Sequence, residues 1–173
     1  MMTLEQVNSM AQDQFTAALG WIFEDSPWVA ERAWVRRPFA SREALHQAMV
    51  QEVKKAAVAQ QRALLVAHPD LGTRAKVSAA STQEQAGAGL DRLTAGEYSH
   101  FSGLNRAYRE KFGFPFLYAV KGSTKDDILL ALQTRLDSSP DEEFQQALTE
   151  VYRIACFRIE SAMAAASDSP LAG

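Results

Sequence analysis

This chain of 173 residues predicts an all-α fold, a single-domain bundle of about seven to nine helices. Three observations carry that prediction. Apolar residues recur at spacings of three and four along nearly the whole chain, the period of a helix face. Hydroxyl residues followed three positions later by an acid head several of these runs, the pattern of a capping box. Only one stretch, "FGFPFLYAV" from Phe112 to Val120, has strand-like composition, and no second run is available to pair with it.

Taken in order, the first face is Leu4, Val7, Ala11, Phe15, Ala18 and Leu19. Pro27, just after Ser26, is a helix-start signal, and Pro38 breaks the next run. Ser41 is a good N-cap for a long helix carrying Leu45, Met49, Val53 and Ala57, with Leu64 and Leu65 near its end. Pro69 must lie outside that helix or at a break in it, because it lacks an N–H and restricts His68 to an extended conformation. Capping boxes are expected at Ser81–Glu84, Thr94–Glu97, Thr124–Asp127 and Ser139–Glu142, the last with Pro140 at the first helical position. The helices that follow carry Tyr98, Phe101, Leu104, Tyr108 and Phe112; then Ile128, Leu132 and Leu136; then Phe144 to about Met163. Gly113 reads as a C-terminal glycine cap. "FGFPFLYAV", interrupted by Pro115, reads as an extended connector. One domain is expected over residues 1–166, and the small, polar segment 167–173 is expected to fray.

Composition narrows the function classes. Hydrophobic residues make up 47% and charged residues 23%, and the net charge of −3 is spread over interspersed signs. No Lys/Arg run points to nucleic acid or to a membrane surface. Cys156 is the only cysteine, so an intrachain disulfide is excluded and a reducing compartment fits. The sequence has neither an apolar run of ~18 residues nor a signal peptide, so a cytoplasmic protein is expected.

Three features sit uneasily in a purely structural account. Phe144, Ala147, Leu148, Val151, Ile154, Ala155 and Ala162 form one apolar stripe, and Arg158 falls inside it. A buried guanidinium needs a partner. Either it makes a structural ion pair with an acid from another helix, or its planar fork is aimed at an anionic ligand. In "STQEQAGAGL", a capping box is reason enough for Ser81 and Glu84. Gly87 and Gly89, costing together about 2 kcal/mol relative to alanine in a helix, imply a close approach by a neighbouring helix or a ligand. His68 is either a helix-end or core histidine, or a proton-transfer residue at neutral pH. His46 and His100 have no comparable setting, and no Cys/His cluster has metal-ligand spacing. A glycine-rich phosphate loop and a nucleophile elbow are both missing. Cys156 lies about 160° from Arg158 around its helix and reads as packing.

Together these stretches resemble the 2-oxo-4-hydroxy-4-carboxy-5-ureidoimidazoline (OHCU) decarboxylase family. The likeness runs through "GWIFEDSPWVAERAWVRRPF", "HPDLG" and the S-x-x-E-Q-x-x-A-G-L pattern of Ser81 to Leu90. It continues in F-x-x-L-N-x-x-Y-x-x-K-F-G-F-P-F from Phe101 to Phe116, and at Arg158. The resemblance implies that His68 is the catalytic histidine and Glu84 its acidic partner. It implies substrate contacts from Pro69, Ser81, Gln85, Phe116, Leu117, Tyr118, Ala119, Val120 and Arg158, with the connector contributing its backbone. It further implies an all-helical homodimer without metal or organic cofactor, acting on a small-molecule substrate, OHCU, in urate breakdown to (S)-allantoin. The final "PLAG" is no peroxisomal tripeptide, which fits the cytoplasm.

The substrate implied by the resemblance contains its own electron sink. The carbon losing the carboxylate bears a hydroxyl and adjoins a ring carbon in a C=N group, so no external cofactor is required. Two other readings remain: a cofactor-free lyase of the same fold on another ureido or imidazolinone acid, and a helical interaction module without activity.

Overall fold

Side-chain caps set most of the helix starts in the computed structural model, which describes residues 1–73 and 78–163. Among the described residues the α-helices are α1 (Leu4–Ser9), α2 (Gln12–Leu19), α3 (Trp28–Ala33), α4 (Arg42–Lys55), α5 (Val58–Ala67), α6 (Ala79–Gly87), α7 (Ala95–Phe112), α8 (Lys125–Arg135) and α9 (Pro140–Ala162). The described residues contain no strand beyond an isolated bridge between Met2 and Met163. The all-α expectation holds, and the 167–173 tail lies outside the described residues.

The expected boxes form at Thr94–Glu97, Thr124–Asp127 and Ser139–Glu142, where each hydroxyl accepts from the third helical N–H and each acid accepts from the cap N–H. Ser41 caps α4 by accepting from Ala44 N at 3.1 Å. Gly113 ends α7 at φ +77°, a backbone conformation that favours glycine. The segment from Phe114 to Val120 is irregular, as an unpaired extended connector should be.

Three expectations are corrected. Ser81 does not cap a helix: α6 starts earlier, at Ala79, and Ser78 accepts from Ser81 N at 3.2 Å. Two serines three residues apart compete for the cap, and the upstream one wins. The long helix from Ser41 is two helices, because Ala56 turns extended (ψ 152°), and the Val53 carbonyl accepts from Ala56 N at 3.1 Å and from Gln61 Nε2 at 2.9 Å. Gly87 and Gly89 mark no close approach by a neighbouring helix, since no described atom from elsewhere in the chain lies within 4 Å of a Cβ on either. Gly89 is there for its backbone: at φ +78° it opens a 3₁₀ turn, Leu90–Arg92. Nothing in the structure explains Gly87.

The chain forms two compact units, Met1–Gln61 with Ile154–Gly173, and Arg62–Arg153. α5 and α9 run unbroken across the boundary. In the first unit α2 packs on α3 and α3 on α4, around Phe15, Leu19, Ile22, Val29, Leu45 and Met49. Phe15 stacks on Phe39 with ring centroids 6.0 Å apart. In the second unit α7 packs on α8, and an aromatic cluster forms the centre. There Tyr108 lies against Phe112, Phe114 and Phe116 with centroids at 4.6, 6.0 and 5.4 Å. No helix among the described residues is long and apolar enough to cross a membrane.

Candidate active site

His68 sits one residue past the end of α5, 5% exposed. Its Nδ1 lies 2.8 Å from the Leu64 carbonyl. A carbonyl only accepts, so Nδ1 carries a proton, and Nε2 is the atom left to act as the base when the ring is neutral. The ring is thereby pinned to the last turn of α5. Pro69 then diverts the chain, and Asp70, Leu71 and Gly72 form a turn closed by Thr73 N donating to Asp70 O at 3.4 Å. Gly72 has φ +71°, and a Cβ there would meet Leu93 at 2.9 Å.

That turn is tied to two helices. Gly72 N donates to Gln85 Oε1 on α6 at 2.9 Å, and Asn105 Nδ2 on α7 donates to the Leu71 carbonyl at 2.9 Å. Arg109 Nε, one turn further along α7, donates to Asp70 Oδ1 at 2.8 Å. The sequence-predicted α6 residues share one helix face, with Ser81 and Gln85 buried and Glu84 half-buried beside them. Gln85 thus has its oxygen committed to the turn, and its Nε2 meets no acceptor among the described residues.

The connector residues Phe116, Leu117, Ala119 and Val120 are buried and Tyr118 half-buried. Their backbone is gripped from outside. Arg135 Nη1 donates to Leu117 O at 2.6 Å, and Ala119 N donates to Glu150 Oε2 at 2.8 Å. Glu150 also accepts from Gln146 Nε2 at 3.0 Å and from Arg153 Nη1 at 3.2 Å. Arg135 in turn donates through Nε to Glu143 at 2.7 Å and lies over the Phe116 ring, 4.6 Å from its centroid. Tyr108 donates its hydroxyl to the same carboxylate. Burial, and then that bond to an anion, push the Tyr108 phenol well above its ordinary range.

Arg158 belongs to the first unit and is 3% exposed. Its Nη2 donates to Glu24 Oε2 at 2.8 Å, and its Nη1 to Trp21 O at 3.2 Å. Glu24 is itself buried, in the turn between the 3₁₀ segment Gly20–Ile22 and α3. The partner that burial demands is therefore present, on a turn rather than on another helix.

Sequence reasoning passed over Glu24, Asn105, Glu143 and Glu150, all buried. A signal was available for two of them. The periodicity that singles out Arg158 also sets Glu143 and Glu150 at the edge of the same apolar stripe. For Glu24, in a turn, and Asn105, one polar residue on an amphipathic helix, periodicity carries no such signal. No three His, Cys, Asp or Glu side chains stand where they could hold a metal among the described residues.

Comparison with known proteins adds three findings. Residues 8–160 match the sequence profile of the family described as OHCU decarboxylase. The 2-oxo-4-hydroxy-4-carboxy-5-ureidoimidazoline decarboxylase of Haloferax volcanii is 49% identical over 91% of this chain and 94% of its own length. That of Halalkalicoccus jeotgali is 46% identical over 92% and 90%. Among solved structures, a crystal structure of (S)-allantoin synthase superposes with a TM-score of 0.75 at 33% identity, over 94% of this chain and 54% of that one.

Proposed function

The chain belongs to the OHCU decarboxylase family, and on that premise we propose how it converts 2-oxo-4-hydroxy-4-carboxy-5-ureidoimidazoline to (S)-allantoin. The observation that carries the reading is His68, buried and held through Nδ1 beside a turn fastened to α6. A base in that state has one fixed direction in which to take or give a proton.

The reaction follows from the substrate. The electrons of the C–carboxylate bond form a C=C bond and push the C=N pair onto nitrogen, which takes a proton as CO₂ leaves. The resulting enol then loses its hydroxyl proton while the neighbouring ring carbon gains one on a single face. His68 through Nε2, with Glu84 as its acidic partner, moves these protons. Ser81 and the Nε2 donors of Gln85 read polar edges of the ring and ureido group. Pro69 and Phe116 supply apolar wall. Along the connector, Leu117 O and Ala119 N are already taken by Arg135 and Glu150. The N–H and C=O of Tyr118 have no partner among the described residues and are the groups offered to the substrate amides. Arg158 holds the substrate's anionic edge, its guanidinium kept in plane by Glu24.

The same reading includes a homodimer in the cytoplasm that needs neither metal nor organic cofactor, as the family resemblance implies. The direct test is circular dichroism during enzymatic urate oxidation. Spontaneous decay of the intermediate gives racemic allantoin, whereas this protein at micromolar concentration should give a fast-growing optical signal. Racemic product at the uncatalysed rate would refute the activity.

A further inference from the structure

The turn after His68 is clamped at successive residues, and the clamp at its centre comes from outside the residues placed around the substrate. Asn105 Nδ2 donates to Leu71 O at 2.9 Å, beside the Gln85 Oε1 bond to Gly72 N, also at 2.9 Å. Asn105 is 5% exposed, and its Oδ1 is buried without a donor among the described residues. An orphaned buried acceptor is destabilising, so filling space does not account for this side chain. Its donor does, because the buried Leu71 carbonyl has no helix or sheet partner of its own.

We infer that Asn105 is a positioning residue for His68, fixing through Leu71 the turn that sets where the imidazole stands. The inference rests on the reading of His68 as the proton-transfer residue. His68 is fastened on one side to Leu64, on α5. On the other side its position depends on the chain through Pro69, whose locked φ transmits any displacement of the turn. With Leu71 O released, the turn relaxes around Gly72, the one residue in it free to change backbone region. The imidazole then loses its alignment with the substrate while Ser81 and the connector backbone, which the turn does not carry, stay in place. The effect falls on kcat rather than on KM.

The isosteric variant Asn105→Asp tests this. A carboxylate repels the Leu71 carbonyl, whereas a protonated carboxyl donates to it as the amide does. At neutral pH kcat should fall about 10- to 100-fold, while KM changes by less than about 3-fold. The ratio of variant to wild-type kcat should recover from about pH 8 to about pH 6, since burial raises the carboxyl's pKa. With kcat referred to the folded fraction, followed by circular dichroism at each pH, a purely structural role would leave the ratio flat. Should that variant not fold, Asn105→Ser removes the orphaned oxygen and shortens the donor, and the same selective loss of kcat is expected. A folded variant with wild-type kcat, a loss confined to KM, or a kcat ratio flat with pH overturns the inference. His68→Asn, measured alongside, separates the two levels. If it lowers kcat strongly while the folded Asn105 variants keep the wild-type kcat, only the positioning role falls. If it retains turnover, the reading of His68 falls as well.

Discussion

At the scale of single residues, the polar groups that matter here are buried ones held in a fixed orientation. His68 has a fixed Nδ1 and a directed Nε2. Replacing it with Asn should lower kcat by about 10²- to 10⁴-fold, read by the chiral assay, with little change in the helical spectrum. Glu84→Gln separates the two proton steps: a variant that still releases CO₂ but gives racemic allantoin marks Glu84 as the source of the ring-carbon proton. The Arg158–Glu24 pair has a different weight. Both partners are desolvated, so Glu24→Gln leaves a buried cation and should destabilise the protein by about 3–5 kcal/mol, measured by urea unfolding. Tyr108 adds a pH dependence. Its phenol is raised in the folded state, so the unfolded chain ionises first. Stability is complete below the ordinary tyrosine pKa near 10 and declines as pH rises above it. Tyr108→Phe should flatten that alkaline decline in thermal melts.

At the scale of elements, most helix ends were legible in the sequence because they rest on local chemistry. Thr94, Thr124 and Ser139 satisfy their own helix starts within three residues, and Gly113 ends α7 by its own backbone freedom. Thr124→Ala should cost about 1 kcal/mol. The capping acids behave consistently. Glu97 is lowered by Lys125 and the Thr94 N–H, Asp127 by the Thr124 N–H, and Glu142 by the Ser139 hydroxyl and N–H. Each therefore stabilises the fold above its unfolded pKa, and that contribution is lost as pH falls below about 4. The elements misread were those decided at a distance or by competition. The break between α4 and α5 is held in part by Gln61, eight residues from the carbonyl it bonds. The start of α6 turns on which of two serines caps. The site divides along the same line. The motifs around His68, Ser81–Gln85 and Phe116–Val120 are contiguous and readable. Asn105, Glu150 and Glu24 act on backbone 31 or more positions away, or on a side chain 134 away, which no local spacing encodes.

At the scale of the whole molecule, the proposed homodimer has its own check: light scattering should count two chains per particle. The division into two units sets up another. Because α5 and α9 are each one continuous helix shared by both units, neither unit can melt without fraying an element of the other. Nature has labelled the halves with different chromophores. Trp21, Trp28 and Trp34, the three indoles, all lie in the first unit; Tyr98, Tyr108, Tyr118 and Tyr152, the four phenols, all lie in the second. Indole emission and phenol absorbance therefore watch separate halves of one unmodified chain, and their denaturation curves should superimpose.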